Sequence, residues 1–182
     1  MKIIEIDKQI YRKRLNIVII AFIATFAILA VTFGMALIAM FANELPLVDK
    51  ITRETPSNFK TNLLGVILAL LASGGILHQL RHSPFFKEIY YVWRLKQIHN
   101  IIYRRLKKIK AAAKNESNVD INALIVLNYY YIGLKQLYLL DDNTLVISTL
   151  HRNIEELNTI LIRKNIKITS DQFEQEMLAS YK

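Results

Sequence analysis

Two adjacent carboxylates, Asp141 and Asp142, are the residues of this 182-residue chain best suited by type to acid–base chemistry. Such a pair works when its surroundings push the two pKa values apart, which requires a histidine partner or a closed pocket. Here Asn143 and Thr144 follow the pair, and this composition is typical of a turn at the end of a helix. We interpret both aspartates as turn residues; an enzyme or enzyme accessory acting through them is the alternative function.

Two histidines four residues apart, His78 and His82 in "HQLRH", share the spacing of a zinc-binding helix. A metalloprotease helix of this kind needs a glutamate base, but Gln79 stands in that position and the sequence has no third ligand nearby. The chain also has no cysteine, which excludes disulfides, thiolate catalysis and Cys-ligated metals. We expect no metal and no other cofactor, and we interpret the two histidines as interfacial residues.

A basic stretch, "WRLKQIHNIIYRRLKKIKAAAK" at 93–114, contains no acidic residue and follows several aromatic residues, among them Phe85 and Tyr90. Aromatic rings concentrate at the headgroup level of a membrane, and each Lys or Arg near anionic lipid contributes about 1 kcal/mol. Several such residues together could hold a helix at a bilayer. The candidate lipid- or partner-binding residues are Trp93, Arg94, Arg104, Arg105, Lys107, Lys108 and Lys110.

Three roles are open for this basic stretch. It could serve only to orient neighbouring membrane helices, it could bind anionic lipid or an acidic protein, or it could bind nucleic acid through counterion release. Nucleic acid is disfavoured, because a membrane would be tethered to the protein and nucleic acid would not.

Two long apolar segments precede the basic stretch. The first, "LNIVIIAFIATFAILAVTFGMALIAMFA", lacks charged residues entirely, and the second includes "TNLLGVILALLASGGIL". A bilayer core of roughly 30 Å needs about 20 helical residues, so both segments are long enough to cross it. The sequence predicts transmembrane helices at 15–42 and 61–80.

The distribution of basic residues predicts the orientation of these helices. Residues 1–14 contain five Lys and Arg, and residues 81–114 contain ten against one acid. The connecting segment 43–60 contains three basic residues balanced by three acids. Because Lys and Arg gather on the cytoplasmic side, we expect a cytoplasmic interfacial start at 1–14, an external loop at 43–60 and a cytoplasmic part at 81–182.

Small residues recur every four positions in both apolar segments and would let two helices approach closely. They are Ala30 and Gly34 in the first segment, and Gly65, Ala69 and Ser73 in the second. Packing between the two helices of one chain is favoured, and a homodimer through the same face is the alternative. Neither segment contains an Asp, Glu, Lys or Arg, so a channel or transporter is disfavoured.

The sequence of the cytoplasmic part predicts three helices, at 84–114, at about 120–140 and at about 149–165. The first helix carries an apolar face made of Tyr91, Leu95, Ile98, Ile102, Leu106, Ile109 and Ala113. Short connections favour a small helical bundle, and a coiled coil through the first helix is the alternative. A last amphipathic piece, "SDQFEQEMLASY", is expected to be capped by Ser170 or Asp171 and to dock weakly or fray. The expected fold class is therefore all-α, a transmembrane hairpin followed by a cytoplasmic bundle or coiled coil.

Four segments carry a family resemblance: "IDKQIYRKRLN", "NLLGV", "YVWRLKQIHNIIYRRLKKIKAAA" and "YYYIGLKQLYLLDDNTL". Together they resemble the domain of unknown function 3087 family, uncharacterised two-span proteins of gammaproteobacteria, over residues 1 to about 165. The resemblance implies a bacterial inner membrane and supplies neither an activity nor functional residues.

These patterns favour a non-enzymatic function. The leading hypothesis is a membrane-anchored scaffold or interaction protein, with both ends cytoplasmic, whose bundle docks an unidentified protein. Its basic helix would meet anionic lipid or an acidic surface of that partner.

Overall fold

The computed structural model describes residues 1–41, 58–115, 119–143 and 145–181, and this described part contains helices and no strand. Its five α-helices are α1 (Lys8–Phe41), α2 (Phe59–Leu80), α3 (Lys87–Ala113), α4 (Ile121–Leu140) and α5 (Ile147–Arg163). Short 3-10 helices occupy Pro84–Phe86, Ser170–Gln172 and Gln175–Tyr181. The all-α prediction is confirmed. Most of the predicted external loop lies outside the described residues.

The chain forms two compact units. The helix-pair unit comprises Lys13–Lys87, and the bundle unit comprises Met1–Arg12 together with Glu88–Lys182. The helix α1 runs without a break through the boundary expected at residue 15, because no Gly or Pro interrupts the sequence there. It begins after Asp7, whose carboxylate accepts a hydrogen bond from the backbone N–H of Ile10 at 2.9 Å.

In the helix-pair unit, α1 and α2 meet at the small residues singled out in the sequence. A methyl group placed on Gly65 would lie 2.7 Å from the backbone nitrogen of Gly34 and 2.8 Å from its Cα. Gly34 is buried, as are Ala69 and Ser73 further along α2, whereas Ala30 is half-buried. The packing face therefore has its partner within the same chain.

In the bundle unit, α4 is the central helix. Asp120 caps its first turn by accepting hydrogen bonds from the backbone N–H groups of Asn122 and Ala123, at 2.9 and 3.3 Å. Apolar side chains then follow on nearly every side, and this composition buries most of the helix. One stripe departs from that pattern, since Ile132 and Leu139 are 40% and 51% exposed.

Candidate functional site

The basic stretch folds as the single helix α3, whose apolar side chains recur every three or four residues and define one buried face. The buried residues are Tyr91, Val92, Leu95, Ile98, His99, Ile102, Ile109 and Ala113. The predicted face is confirmed except at Leu106, which is half-buried. Val92 and His99 also lie on this buried face, although they were not among the residues predicted for it.

Part of the basic stretch points away from the bundle. We call this surface the basic face; its residues are Trp93, Arg94, Arg104, Lys107 and Lys108, all exposed. The ring of Trp93 is 51% exposed and stacks on Tyr90 with 5.6 Å between ring centroids. An aromatic pair therefore stands at the start of a positively charged helix surface.

The remaining basic residues of the predicted set contact the bundle itself. The guanidinium of Arg105 donates a hydrogen bond to the backbone carbonyl of Leu178 at 2.5 Å. The ammonium group of Lys110 lies 5.9 Å from the ring centroid of Tyr131, within the range of a cation–π interaction. Sequence spacing placed both residues among the outward charges, but their long side chains reach back to neighbouring segments.

The C-terminal segment is firmly packed, so the expectation that it docks weakly or frays is wrong. Phe173, Leu178 and Tyr181 are only 4%, 1% and 5% exposed. Phe173 stacks on Tyr129 with ring centroids 4.0 Å apart, and the Tyr181 hydroxyl donates to Asp120 at 2.6 Å. Large aromatic side chains supply this packing, which amphipathic spacing alone did not reveal.

The cap of this segment also differs from the prediction. Thr169, rather than Ser170 or Asp171, is the cap that precedes the 3-10 helix Ser170–Gln172, and its backbone N–H donates to Oε1 of Gln172 at 3.0 Å.

The aspartate pair forms the C-terminal turn of α4. Asp142 has a left-handed backbone, with φ of 55°, and the N–H of Asn143 donates back to the carbonyl of Tyr138 at 3.0 Å. Asp141 pairs with Lys96 of α3 at 2.8 Å, and their side chains are 41% and 47% exposed. The pair thus occupies the turn that the sequence predicted.

Asp142 also holds the start of α1. Its carboxylate binds both Lys8 and Arg12, and the hydrogen bond from Lys8, helped by the charge of Arg12, lowers the pKa of Asp142. Acid–base catalysis by a carboxyl pair needs one raised pKa in a closed pocket, and this exposed, ion-paired turn has the opposite character. The arrangement supports a structural role for the aspartates.

The N-terminal segment is held by a ring of three hydrogen bonds that the sequence analysis missed. The N–H of Ile4 donates to the Tyr91 hydroxyl at 3.0 Å, and that hydroxyl donates to Oε1 of Gln136 at 3.0 Å. Nε2 of Gln136 then donates to the carbonyl of Ile4 at 2.6 Å. The ring joins the segment to α3 and α4, and no local sequence signal marks it.

We expect the Asp142→Asn variant to unfold at lower urea concentration than the unmodified protein at pH 7, with the difference shrinking as the pH falls below about 4. A carboxyl group with a lowered pKa in the folded state stabilises at neutral pH, and this contribution is lost on acidification. Asparagine tolerates the left-handed backbone, so the substitution isolates the charge. Trp93 is the chain's one tryptophan, so its fluorescence in detergent follows bundle unfolding.

Glu174→Gln is the matched control, because Glu174 is an exposed carboxylate on another segment. If the urea midpoints of the Asp142→Asn variant and the unmodified protein coincide at pH 7, the ion pairs do not stabilise the unit.

The imidazole of His99 is buried between α3 and α4. Nδ1 lies 2.9 Å from the carbonyl oxygen of Leu95, and Nε2 lies 3.0 Å from that of Tyr130. Burial lowers the pKa of His99, which favours the neutral ring with one donated hydrogen bond over the protonated ring with two. The ring also lies against Gly133, where an added methyl group would stand 2.6 Å from Nε2. His99 thus fixes the spacing of the two helices.

The histidines with metal-like spacing both contact Arg81. Its guanidinium lies 2.8 Å from Nδ1 of His78 and 2.9 Å from Nε2 of His82. A guanidinium only donates hydrogen bonds, so these ring nitrogens act as acceptors and their lone pairs are engaged. Within the described ranges, no group of three His, Cys, Asp or Glu residues could hold a metal ion.

Comparisons with known proteins identify the family of this chain. No curated protein and no solved structure matches the chain. The sequence model of the DUF3087 family, described as a protein of unknown function, matches residues 1–178. The match extends beyond the expected limit near 165 and includes Phe173 and Leu178 of the packed C-terminal segment. Because it covers nearly the whole chain, this protein belongs to the DUF3087 family.

Proposed function

We propose that this protein is a non-enzymatic scaffold of the bacterial inner membrane, which crosses the bilayer twice and has both ends in the cytoplasm. Its basic face binds anionic phospholipid headgroups, and its bundle unit docks a protein partner. The observation that carries the proposal is the apolar outer surface of α1 and α2.

Both helices are long and apolar enough to cross a membrane, yet only 6% and 17% of their most apolar windows are buried. Ile20, Met35 and Leu71 are 68%, 68% and 66% exposed. The core helix of a water-soluble protein would bury such side chains, and a contiguous apolar surface marks a membrane or a partner. Both helices are at least as long as a bilayer core is thick, and this length and the flanking Lys and Arg favour the membrane.

The basic face suits lipid for a second reason. Arg94, Arg104 and Lys107 project outward from one helix, and Trp93 accompanies them. In the chain, only residues 81–86 separate α3 from the end of α2, so the start of the basic face follows directly on the proposed membrane span. At about 1 kcal/mol per basic residue near an anionic surface, binding of all three residues to headgroups would contribute on the order of 3 kcal/mol.

Quenching of Trp93 fluorescence tests the lipid contact. The full chain is reconstituted in vesicles that contain brominated phosphatidylglycerol or brominated phosphatidylcholine. We expect the anionic lipid to quench Trp93 more strongly than the zwitterionic lipid does. The Arg94→Gln, Arg104→Gln, Lys107→Gln triple variant should clearly lose this difference in quenching. Salt at about 0.5 M should also reduce the difference, because the Debye length then shrinks to a few Å.

The matched control is Lys135→Gln, Arg152→Gln, Lys167→Gln, which removes the same charge from exposed positions elsewhere. Equal quenching by both lipids would show that the basic face does not bind anionic headgroups.

Reporter fusions that place the C-terminus outside the cell would overturn the topology. Purification in native nanodiscs with mass spectrometry tests the scaffold, which requires a stoichiometric protein partner.

A further inference from the structure

A crevice separates α1 and α2 at the end of the helix pair remote from the Gly34–Gly65 contact. It measures about 180 Å³ and lies entirely within the helix-pair unit. Aliphatic side chains of both helices form most of its wall. The other lining residues are the phenylalanines Phe22, Phe85 and Phe86 and the hydroxyl residues Thr25 and Ser73.

The hydroxyl of Ser73 is the distinctive polar group of this crevice. Ser73 is 2% exposed, and its Oγ has no hydrogen-bond partner among the described residues. Serine in an apolar helix commonly donates to the carbonyl four residues earlier, as Thr32 does to Ile28 at 2.8 Å. A buried hydroxyl without this bond, at the wall of a crevice, can turn about its Cα–Cβ bond toward a ligand that offers an acceptor.

The aromatic wall is held in place. Phe85 and Phe86 pack edge to face, with centroids 5.7 Å apart, and the guanidinium carbon of Arg14 lies 5.5 Å from the centroid of Phe85. Arg14 also donates to the carbonyl of Pro84 at 3.4 Å. A flat ring entering the crevice would therefore meet positioned aromatic faces.

The volume of the crevice and the depth of Ser73 indicate which class of membrane molecule the crevice would bind. An apolar cavity of about 150 Å³ accommodates a benzene molecule, so a single six-membered ring fits here. Ser73 lies about 10 Å from the end of α2 at 1.5 Å per residue, which is deeper than the glycerol ester carbonyls at the edge of the bilayer core. An acyl chain at that depth offers no acceptor, whereas the ring of a membrane quinone carries carbonyl oxygens.

We propose that this crevice binds the ring of a bilayer-dissolved quinone, with the Ser73 hydroxyl donating a hydrogen bond to a ring carbonyl and the phenylalanines packing on its faces. This inference rests on the proposed membrane insertion and adds a ligand class to it.

The test uses the full chain in phosphatidylcholine nanodiscs and decylubiquinone as the probe. Saturable retention above that of protein-free nanodiscs measures binding, and the infrared carbonyl stretch of the probe reports the hydrogen bond. We expect Ser73→Ala to weaken binding about fivefold and to abolish the shift of the carbonyl band, as for loss of one hydrogen bond. Ala21→Phe, which fills the crevice, should abolish saturable retention.

Matched controls are Thr32→Val, which removes a hydroxyl that bonds within its own helix, and Ala36→Phe, which adds the same bulk at an exposed position. Binding unchanged in these controls supports the site. Retention equal to that of protein-free nanodiscs, an unshifted carbonyl band, or equal displacement by a saturated fatty-acid ester would overturn it. Co-elution of the protein with the nanodiscs measures membrane insertion separately. If the protein inserts but does not bind decylubiquinone, only the quinone site is contradicted.

Discussion

The Gly133→Ala substitution should destabilise the bundle unit by about 1–3 kcal/mol, the usual cost of overpacking a well-packed core. On intrinsic helix propensity alone, the same change in the middle of α4 would stabilise by about 1 kcal/mol. The two effects have opposite signs, so the sign of the result is itself informative.

The steric effect should win because His99 has little room to move. An alanine Cβ at position 133 would stand 2.6 Å from Nε2 of His99, and 3.4 Å from a methyl carbon of Leu95. The imidazole is 5% exposed, both its nitrogens contact backbone carbonyls, and its ring stacks on Tyr130 at 5.2 Å. Relief therefore requires α3 and α4 to move apart, with loss of buried contacts.

A double-mutant cycle with His99→Ala isolates this contact. Without the imidazole, the Gly133→Ala substitution should be neutral or stabilising. Urea unfolding in detergent, followed by Trp93 fluorescence, gives the four free energies. If Gly133→Ala is equally harmful in both backgrounds, the His99 contact is not the cause.

The sequence predicted the elements of this fold well because they are governed by local patterns. Uninterrupted apolar runs marked α1 and α2, and three- and four-residue spacing marked the buried face of α3. The start of α4 also lies close to the predicted position of about 120.

Contacts between residues distant in sequence were not predictable in this way. Nothing local indicates that Arg105 reaches Leu178, or that Gln136 closes a hydrogen-bonded ring with Ile4. Nor does a local pattern indicate that the side chain of Tyr129 is 0% exposed. These features depend on which helices become neighbours. The 3.6-residue period of apolar residues predicts the apolar face of a helix, but it does not predict which other segment packs against that face. The basic residues were recognised, but not their division between an outward face and internal contacts.

A second substitution, Gly65→Ala, should separate α1 from α2. The new methyl group would meet backbone atoms of Gly34 at 2.7 and 2.8 Å, and a backbone cannot rotate aside as a side chain can. Close approach of backbones is what small residues provide to packed membrane helices. We expect a loss of about 1–3 kcal/mol in helix-pair stability, as for other overpacked contacts.

The chain itself offers the control for this substitution, since Gly74 lies on the same helix and a Cβ there would meet nothing within 4 Å among the described atoms. Because the chain lacks cysteine, spin labels at Ala36→Cys and Leu63→Cys report one defined distance between α1 and α2 in nanodiscs. Gly65→Ala should lengthen the mean distance between the two labels and broaden its distribution, whereas Gly74→Ala should leave both unchanged. The two variants gain the same helix propensity and differ only in the atoms that the new methyl group contacts. An unchanged distance in both variants would show that the Gly34–Gly65 contact does not hold the pair together, and an equal change in both would assign the effect to helix propensity instead.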